Sequence, residues 1–332
     1  MEVFELEKKS GIPIYKQIVL TIEEAIVSGE LRKGDKLPSL NAIKNKNNLS
    51  RDTVLNAFNE LKNRGVIKST VGKGYYVATE DIVVKKKIFL LFDEFNSFKE
   101  DLYNSFVSAL GENIQVDIFF HHFNMRVFRR LINDNLGSYN AYAIMPANLK
   151  ESSLAIQSLG KEPVYILDQM HPDLQQYPGV FQNFEKDMYQ GLTAGVSQIK
   201  AYSKIVMQYD AAVQPQGFLK GMALFCEDQD MDYEVISDLN DRKPTKGELY
   251  LVLDDKNLIR IIKKILEVGL DLLKDIGIIS YNETLLKEIV QGGITTISTD
   301  FKLMGENLAT MILENKKEHI ENPSSLILRK SL

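Results

Sequence analysis

The sequence predicts an α/β protein in two parts: a small N-terminal domain of three helices closed by a two-stranded wing, then a body of two parallel-sheet lobes. Three observations predict it. Over residues 14–77 three runs with apolar positions at helical spacing are followed by two short β-type runs around a Gly-Lys-Gly turn. From Ile88 onward short apolar runs alternate with amphipathic helices, twice over, and that alternation implies parallel sheets covered on both faces. The chain has 332 residues, 44% of them hydrophobic, which is material for two or three packed cores.

Each element has a local reason. After Pro13 the residues Ile14, Ile18, Ile22, Ala25 and Ile26 share one helix face, and Ser28-Gly29 with Lys33-Gly34-Asp35 ends that helix and turns the chain. Leu37-Pro38-Ser39 leads into a second helix with Ser39 as its N-cap; after Asn47-Asn48, Ser50 caps a third beginning at Arg51. The core face of the third helix is Val54, Phe58 and Leu61, so Arg51, Thr53 and Asn56 point elsewhere. Val66-Ile67-Lys68-Ser69 and Tyr75-Tyr76-Val77 flank Gly72-Lys73-Gly74 as a wing. Helix, helix, helix, wing is the order of a winged helix-turn-helix. Its third helix brings N-terminal residues to base edges in the major groove, and a helix N-terminus presents N–H groups to phosphate.

In the body, Ile88–Phe92 reads as a strand followed by a helix from Lys99 to Leu110, and Gln115–Phe120 as a strand followed by a helix from Met125 to Leu136. Ala141–Met145 and Val164–Leu167 continue the series, and Lys204–Met207, Glu234–Ile236, Leu249–Leu253 and Gly277–Ser280 repeat it. Ligands of such folds bind at the carboxyl ends of the strands, here between the lobes.

Charge separates the two parts. Residues 1–87 carry 16 Lys/Arg against 11 Asp/Glu, and the remainder 24 against 34. A basic head on an acidic body fits a DNA reader attached to a domain that does not bind DNA. The head's excess is modest, so affinity calls for two copies on a two-part operator, and a homodimer is expected. No stretch has the length of a transmembrane helix and no signal-peptide apolar run follows the N-terminus, so no membrane partner and a cytoplasmic location are expected. A single cysteine, Cys226, excludes an intramolecular disulfide and reads as a small buried hydrophobe.

Catalysis finds no carrier. The histidines His121, His122, His171 and His319 lack metal-ligand spacing, and the adjacent His121-His122 would point to opposite sides of a strand. There is no nucleophile elbow, Walker loop or dinucleotide fingerprint, so neither a cofactor nor a metal is expected. An α/β enzyme fused to a DNA-binding head is the alternative to a regulator on these residues.

The head resembles the DNA-binding domain of GntR-type regulators. Pro13–Ile18, Gly29-Glu30-Leu31, Gly34–Ser39, Leu49–Val54 and Gly72–Tyr75 stand in that family's order and spacing over the first quarter of the chain. The resemblance implies a DNA-binding set of Ser39, Asn41, Ser50, Arg51, Thr53, Asn56, Gly72, Lys73 and Gly74. Members commonly carry an arginine at the position of Asn41; asparagine suits adenine N6/N7, which implies a shifted operator preference.

The body resembles the sugar-binding domain of lac-repressor-type regulators, itself related to periplasmic sugar-binding proteins: a bilobal periplasmic-binding-protein-like domain with two parallel-sheet, Rossmann-like lobes. Phe92–Phe98, Leu167-Asp168-Gln169, Gln182-Asn183-Phe184, Gly217–Gly221, Leu253–Leu258, Ser280–Glu283 and Thr295-Thr296-Ile297 carry it. It implies a head over residues 1–78, a linker over 79–87, and a body over 88–332. Lobe 1 would take about 88–182 and 298–312, and lobe 2 about 183–294 with the C-terminal segment. It also implies effector contacts at Phe95, Asn96, Phe98, Asp168, Gln169, Asn183, Gln214, Asp254 and Asn282. Aromatic faces and two-pronged polar groups are what a sugar requires. Gln214 stands where the family has an arginine, which argues for a neutral effector. A monosaccharide is implied, a pentose or a deoxyhexose such as arabinose or fucose, controlling a repressor of sugar-utilisation genes; a DNA-binding regulator with a non-sugar effector is the alternative.

Overall fold

Ile18, Ile22 and Ile26 lie on one face of α1 (Ile14–Val27) and are buried with Ile43 of α2 (Leu40–Asn47) and Val54, Phe58 and Leu61 of α3 (Arg51–Asn63). The computed structural model describes residues 6, 12–80 and 86–332. Strands β1 (Ile67–Thr70) and β2 (Gly74–Val77) pair antiparallel, Ile67 opposite Val77 and Thr70 opposite Gly74. Gly72, at φ 71°, occupies the left-handed region that the tight wing turn requires. Phe58, wholly buried, meets Tyr75 edge-on at 4.8 Å and so seats the wing on α3.

The body begins with β3 (Lys86–Phe92), α4 (Ser97–Leu110), β4 (Ile114–Phe120), α5 (Met125–Asp134), β5 (Ala141–Ile144), α6 (Ser152–Gln157), β6 (Val164–Asp168) and β7 (Gly179–Phe181). It continues with α7 (Phe184–Ala194), α8 (Val196–Ile199), β8 (Lys204–Gln208), α9 (Gly217–Gln229), β9 (Asp232–Ile236), β10 (Glu248–Val252) and α10 (Asp255–Glu267). The last elements are β11 (Gly277–Tyr281), α11 (Leu285–Ile289), β12 (Thr295–Thr299), α12 (Phe301–Leu313), β13 (His319–Glu321) and β14 (Ser324–Ile327).

Two six-stranded sheets result. The first has order β13-β7-β6-β5-β3-β4 and is parallel throughout; the second has order β14-β12-β11-β10-β8-β9 and is parallel except for β14. The continuous apolar run Ile88–Phe92 is buried because helices cover both faces of its sheet. Ile88, Leu90 and Phe92 pack with Leu102, Phe106, Met304 and Leu308 from α4 and α12, whereas Phe89 and Leu91 pack with Phe128, Ile132 and Ile156 from α5 and α6. In the second sheet Ile205 and Met207 face Met188, Met222 and Phe225 of α7 and α9, and Val206 and Tyr250 face Leu258, Ile261 and Ile265 of α10. Gly221 lets α9 lie against the backbone of α7, since a Cβ there would collide with the Glu185 carbonyl.

Three chain crossings join the lobes, after Phe181, after Thr299 and after Glu321. Asn322, 1% exposed, ties them together. Its N–H donates to Phe181 O at 2.8 Å, and its Nδ2 donates to Thr299 Oγ1 at 2.9 Å and to Asp300 O at 2.8 Å.

Some sequence expectations shift. Helix α7 starts at Phe184, directly after Gln182-Asn183, and the helical run breaks at Gly195, where Leu326 and Leu332 pack against the chain. Segment β13 has one apolar residue and carried no strand signal, yet its backbone adds an edge to the first sheet. Of the linker expected over 79–87, residues 81–85 lie outside the described residues, and Lys86 and Lys87 already belong to β3.

Candidate functional site

The head presents the two ends a DNA duplex would meet. Ser39 Oγ accepts from Ala42 N and Ser50 Oγ from Thr53 N, both at 3.1 Å, which fixes where α2 and α3 begin. Arg51 is the first residue of α3; it and Asn41, Asn56 and the wing residues Gly72, Lys73 and Gly74 are exposed, and Thr53 is half-buried against Ser50. Thus all nine head residues singled out in the sequence lie on the outer surface of α2, α3 and the wing. A buried Glu23 paired to Arg64 holds α1 to the end of α3, leaving the α3 N-terminus unencumbered.

The second site is a cavity of about 410 Å³ between the lobes, at the carboxyl ends of both sheets. The first lobe contributes Asp93, Glu94, Phe98, Lys99, Phe123, Asp168 and Gln169, and the second Gln214, Phe218, Asp254, Lys256, Tyr281 and Asn282. Six of the nine residues expected from sequence meet here: Phe98, Asp168, Gln169, Gln214, Asp254 and Asn282. The other three are corrected. Phe95 is 66% exposed and turns edge-on to Phe120, outside the cavity. Asn96 caps α4, its Oδ1 accepting from Lys99 N at 3.2 Å. Asn183 caps α7 and donates to Glu321 Oε2 at 3.0 Å, while its neighbour Gln182 faces the cavity instead.

The polar groups of the cavity form chains that cross between lobes. Tyr281 Oη donates to Gln182 Oε1 at 3.0 Å, and Gln182 Nε2 donates to Asp168 Oδ1 at 2.5 Å. Gln169 Nε2 donates to Asn148 Oδ1 at 2.9 Å, and Asn148 Nδ2 donates to the Gln214 carbonyl at 2.6 Å. Gln214 spends its own Oε1 on Asp210 N at 2.7 Å, so it shapes its loop. Asp254 likewise caps α10 through Asn257 N at 2.8 Å. Aromatic walls stand on both sides: Phe98 stacks on Phe301 at 4.8 Å, and Phe218 meets Tyr281 edge-on at 4.5 Å.

Buried charge marks the floor. Lys99 and Asp93, 4% and 6% exposed, form an ion pair. Burial pushes the Asp168 carboxyl up to about 6, with Lys99 opposing the rise and Asp93 adding to it. Lys287, 1% exposed, donates to the carbonyls of Tyr281 at 2.8 Å and Asn282 at 2.7 Å and pairs with Asp255 at 3.0 Å. It holds Asn282 at φ 61°, a conformation an asparagine tolerates and most residues avoid. Sequence reading missed Lys99, Gln182, Phe123, Tyr281 and Lys287. The first and last look like ordinary helix-surface lysines until their helices are placed.

The histidines behave structurally. His121 is fully buried, with Nε2 3.0 Å from Met145 O, and burial lowers its pKa; His122 is exposed beyond the end of β4. Burial pushes the Cys226 thiol up to about 11, which keeps it unreactive. No helix of the described residues is long and apolar enough to cross a membrane.

Near the crossings, burial raises Asp187 to about 7; Glu321 adds to the rise and Lys186 opposes it, and Asp187 Oδ2 is buried without a partner. Because the folded value lies above that of an unfolded aspartate, folding disfavours the ionised form. The cost is absent below about pH 4 and grows as pH rises to about 7. Asp187→Asn is therefore expected to stabilise the chain by on the order of 2–4 kcal/mol at pH 8, with the gain vanishing towards pH 4. Urea unfolding at both pH values checks this; destabilisation at pH 8 contradicts it.

Residues 14–77 match the family profile of bacterial regulatory proteins, gntR family, and residues 197–332 match that of the periplasmic binding protein-like domain. The repressor YtrA of Bacillus subtilis is 32% identical over 76 residues, 23% of this chain and 58% of that protein. The chain spans 58% or less of the first curated relatives it matches. A dimeric Lac repressor with an 11-residue C-terminal deletion superposes with a TM-score of 0.64 at 15% identity, covering 74% of this chain and 98% of that one. A periplasmic binding protein/LacI regulator from Alkaliphilus metalliredigens, complexed with D-xylulofuranose, gives 0.60 at 11% identity, with coverage of 74% and 98%. These structures share the fold of the two-lobed body.

Proposed function

We propose that this chain, a gntR-type winged head joined to a periplasmic-binding-protein-like body, is a sequence-specific DNA-binding transcriptional regulator whose operator affinity is set by a small hydroxylated effector. The observation that carries the reading is one chain holding both devices: an exposed α3 N-terminus with its wing, and a polar, aromatic-walled cavity at the strand ends over a three-crossing hinge. The protein acts as a cytoplasmic homodimer and a repressor of sugar-utilisation genes. Its relation to YtrA, named a repressor, and its fold likeness to a dimeric Lac repressor support this. The D-xylulofuranose complex of the Alkaliphilus protein supports a monosaccharide, pentose or deoxyhexose, in the cavity.

The mechanism is a population shift. A ligand contacting Asp168 and Gln169 on one lobe and Asn282 on the other favours the lobe arrangement that lets both contacts form. It can move the equilibrium only by its differential affinity for the two arrangements. In a dimer, lobe rotation changes the spacing of the two heads, and the half-sites can then no longer both be engaged.

Thermal unfolding against a panel of pentoses, hexoses, deoxyhexoses and their phosphates tests the effector half. A sugar at about 100 times its dissociation constant is expected to add about 2.7 kcal/mol of stability, a rise of roughly 5–10 °C for a body of this size. A flat panel contradicts the sugar assignment and leaves the DNA-binding head standing.

A further inference from the structure

The lining of the cavity is unbalanced in charge and in hydrogen-bonding capacity. Four carboxylates, Asp93, Glu94, Asp168 and Asp254, face two ammonium groups, Lys99 and Lys256. Lys99 is already committed to Asp93, so the first-lobe wall retains the charges of Asp168 and Glu94. Asp168 accepts one hydrogen bond, on Oδ1 from Gln182; no described residue donates to its Oδ2. Its backbone, at φ 73°, takes the left-handed conformation unusual outside glycine to place this side chain at the strand end.

A second observation from the opposite wall is independent of those charges. Asn282 is 8% exposed and lines the cavity, and its buried Oδ1 has no hydrogen-bond partner. The Asn282 amide oxygen is a buried acceptor without a donor, which is costly, and on the other lobe the half-buried Asp168 keeps a carboxylate oxygen free to take one. Sugar hydroxyls donate one hydrogen each. An ammonium donates three and carries the charge the wall lacks.

Resting on the reading of this cavity as the effector site, we propose that the effector carries a protonated primary amine on its hydroxylated frame, seated between Asp168 and Asn282. Gln214 adds no charge to the lining, and the wall acids favour a cation over an anion. Such a cation would also relieve the cost that burial imposes on the Asp168 carboxylate.

The test is titration calorimetry on the full chain at pH 7 with matched pairs: D-glucose and D-glucosamine, D-galactose and D-galactosamine, with D-glucose 6-phosphate and 1,5-diaminopentane alongside. At least one amine is expected to bind tenfold or more tighter than its hydroxyl parent. Asp168→Asn, checked for folding by circular dichroism, is expected to abolish that advantage, so that amine and parent bind alike. A parent that binds as tightly as its amine overturns the amine and leaves the sugar reading intact. Retention of the advantage in Asp168→Asn overturns the seat. Binding of the diamine alone upholds the ammonium site and overturns the sugar frame; tighter binding of the phosphate, or no binding by any of the six, overturns the proposal.

Discussion

Replacing Lys287 with methionine is expected to lower the unfolding free energy by on the order of 2–4 kcal/mol and the Tm by about 5–15 °C. All three donors of this ammonium are used: on Tyr281 O, on Asn282 O and on Asp255 Oδ1. Tyr281 and Asn282 are 2% and 8% exposed, so water does not replace the lost donors at those carbonyls, whereas the half-buried Asp255, its side chain 45% exposed, is more readily rehydrated. Burial pulls the Lys287 pKa down, and Asp255 opposes the fall. The same substitution is expected to abolish effector binding, because Lys287 holds Asn282 in its left-handed conformation. Calorimetric unfolding and ligand titration of the variant check both effects. A Tm within 2 °C of the parent chain, with effector binding retained, contradicts this role.

Arg51→Ala is expected to weaken operator binding by about 1–3 kcal/mol, roughly 5- to 150-fold, without changing Tm or ligand affinity. Arg51 is exposed at the first position of α3 and no described residue forms an ion pair with it, so its removal costs the fold little. Fluorescence anisotropy with operator and scrambled duplexes separates the two kinds of contact. Loss confined to the operator marks base reading; equal loss on both would reduce Arg51 to a phosphate contact.

The head was legible almost residue by residue because its signals are local. Ser39 and Ser50 cap the helices they precede, and Gly72 turns the wing, each through interactions within a few residues. The sheets were legible because buried parallel strands must be continuous apolar runs, as Ile88–Phe92 and Leu249–Val252 are. The cavity was legible in part. Phe98, Asp168, Gln169, Gln214, Asp254 and Asn282 follow or lie near strand ends and arrive together by topology. Phe95, Asn96 and Asn183 sit close by in sequence, but helix starts claim both asparagines as caps and the β4 edge claims Phe95. Lys99, Gln182 and Lys287 were illegible for a different reason. Their partners Asp93, Tyr281 and Asp255 lie 6 to 99 positions away, and nothing in their own segments marks them as buried.

The central claim, that a ligand in the inter-lobe cavity governs DNA binding by the head, is tested most directly by selecting duplexes from a random library with the full chain. The dissociation constant of the selected duplex is then measured at rising effector concentration. The account predicts enrichment of a two-part site bound through two heads, and an affinity that changes at least tenfold at saturating ligand in the parent chain but not in Asn282→Ala. Enrichment of no sequence, or an affinity indifferent to a ligand shown to occupy the cavity, would contradict it.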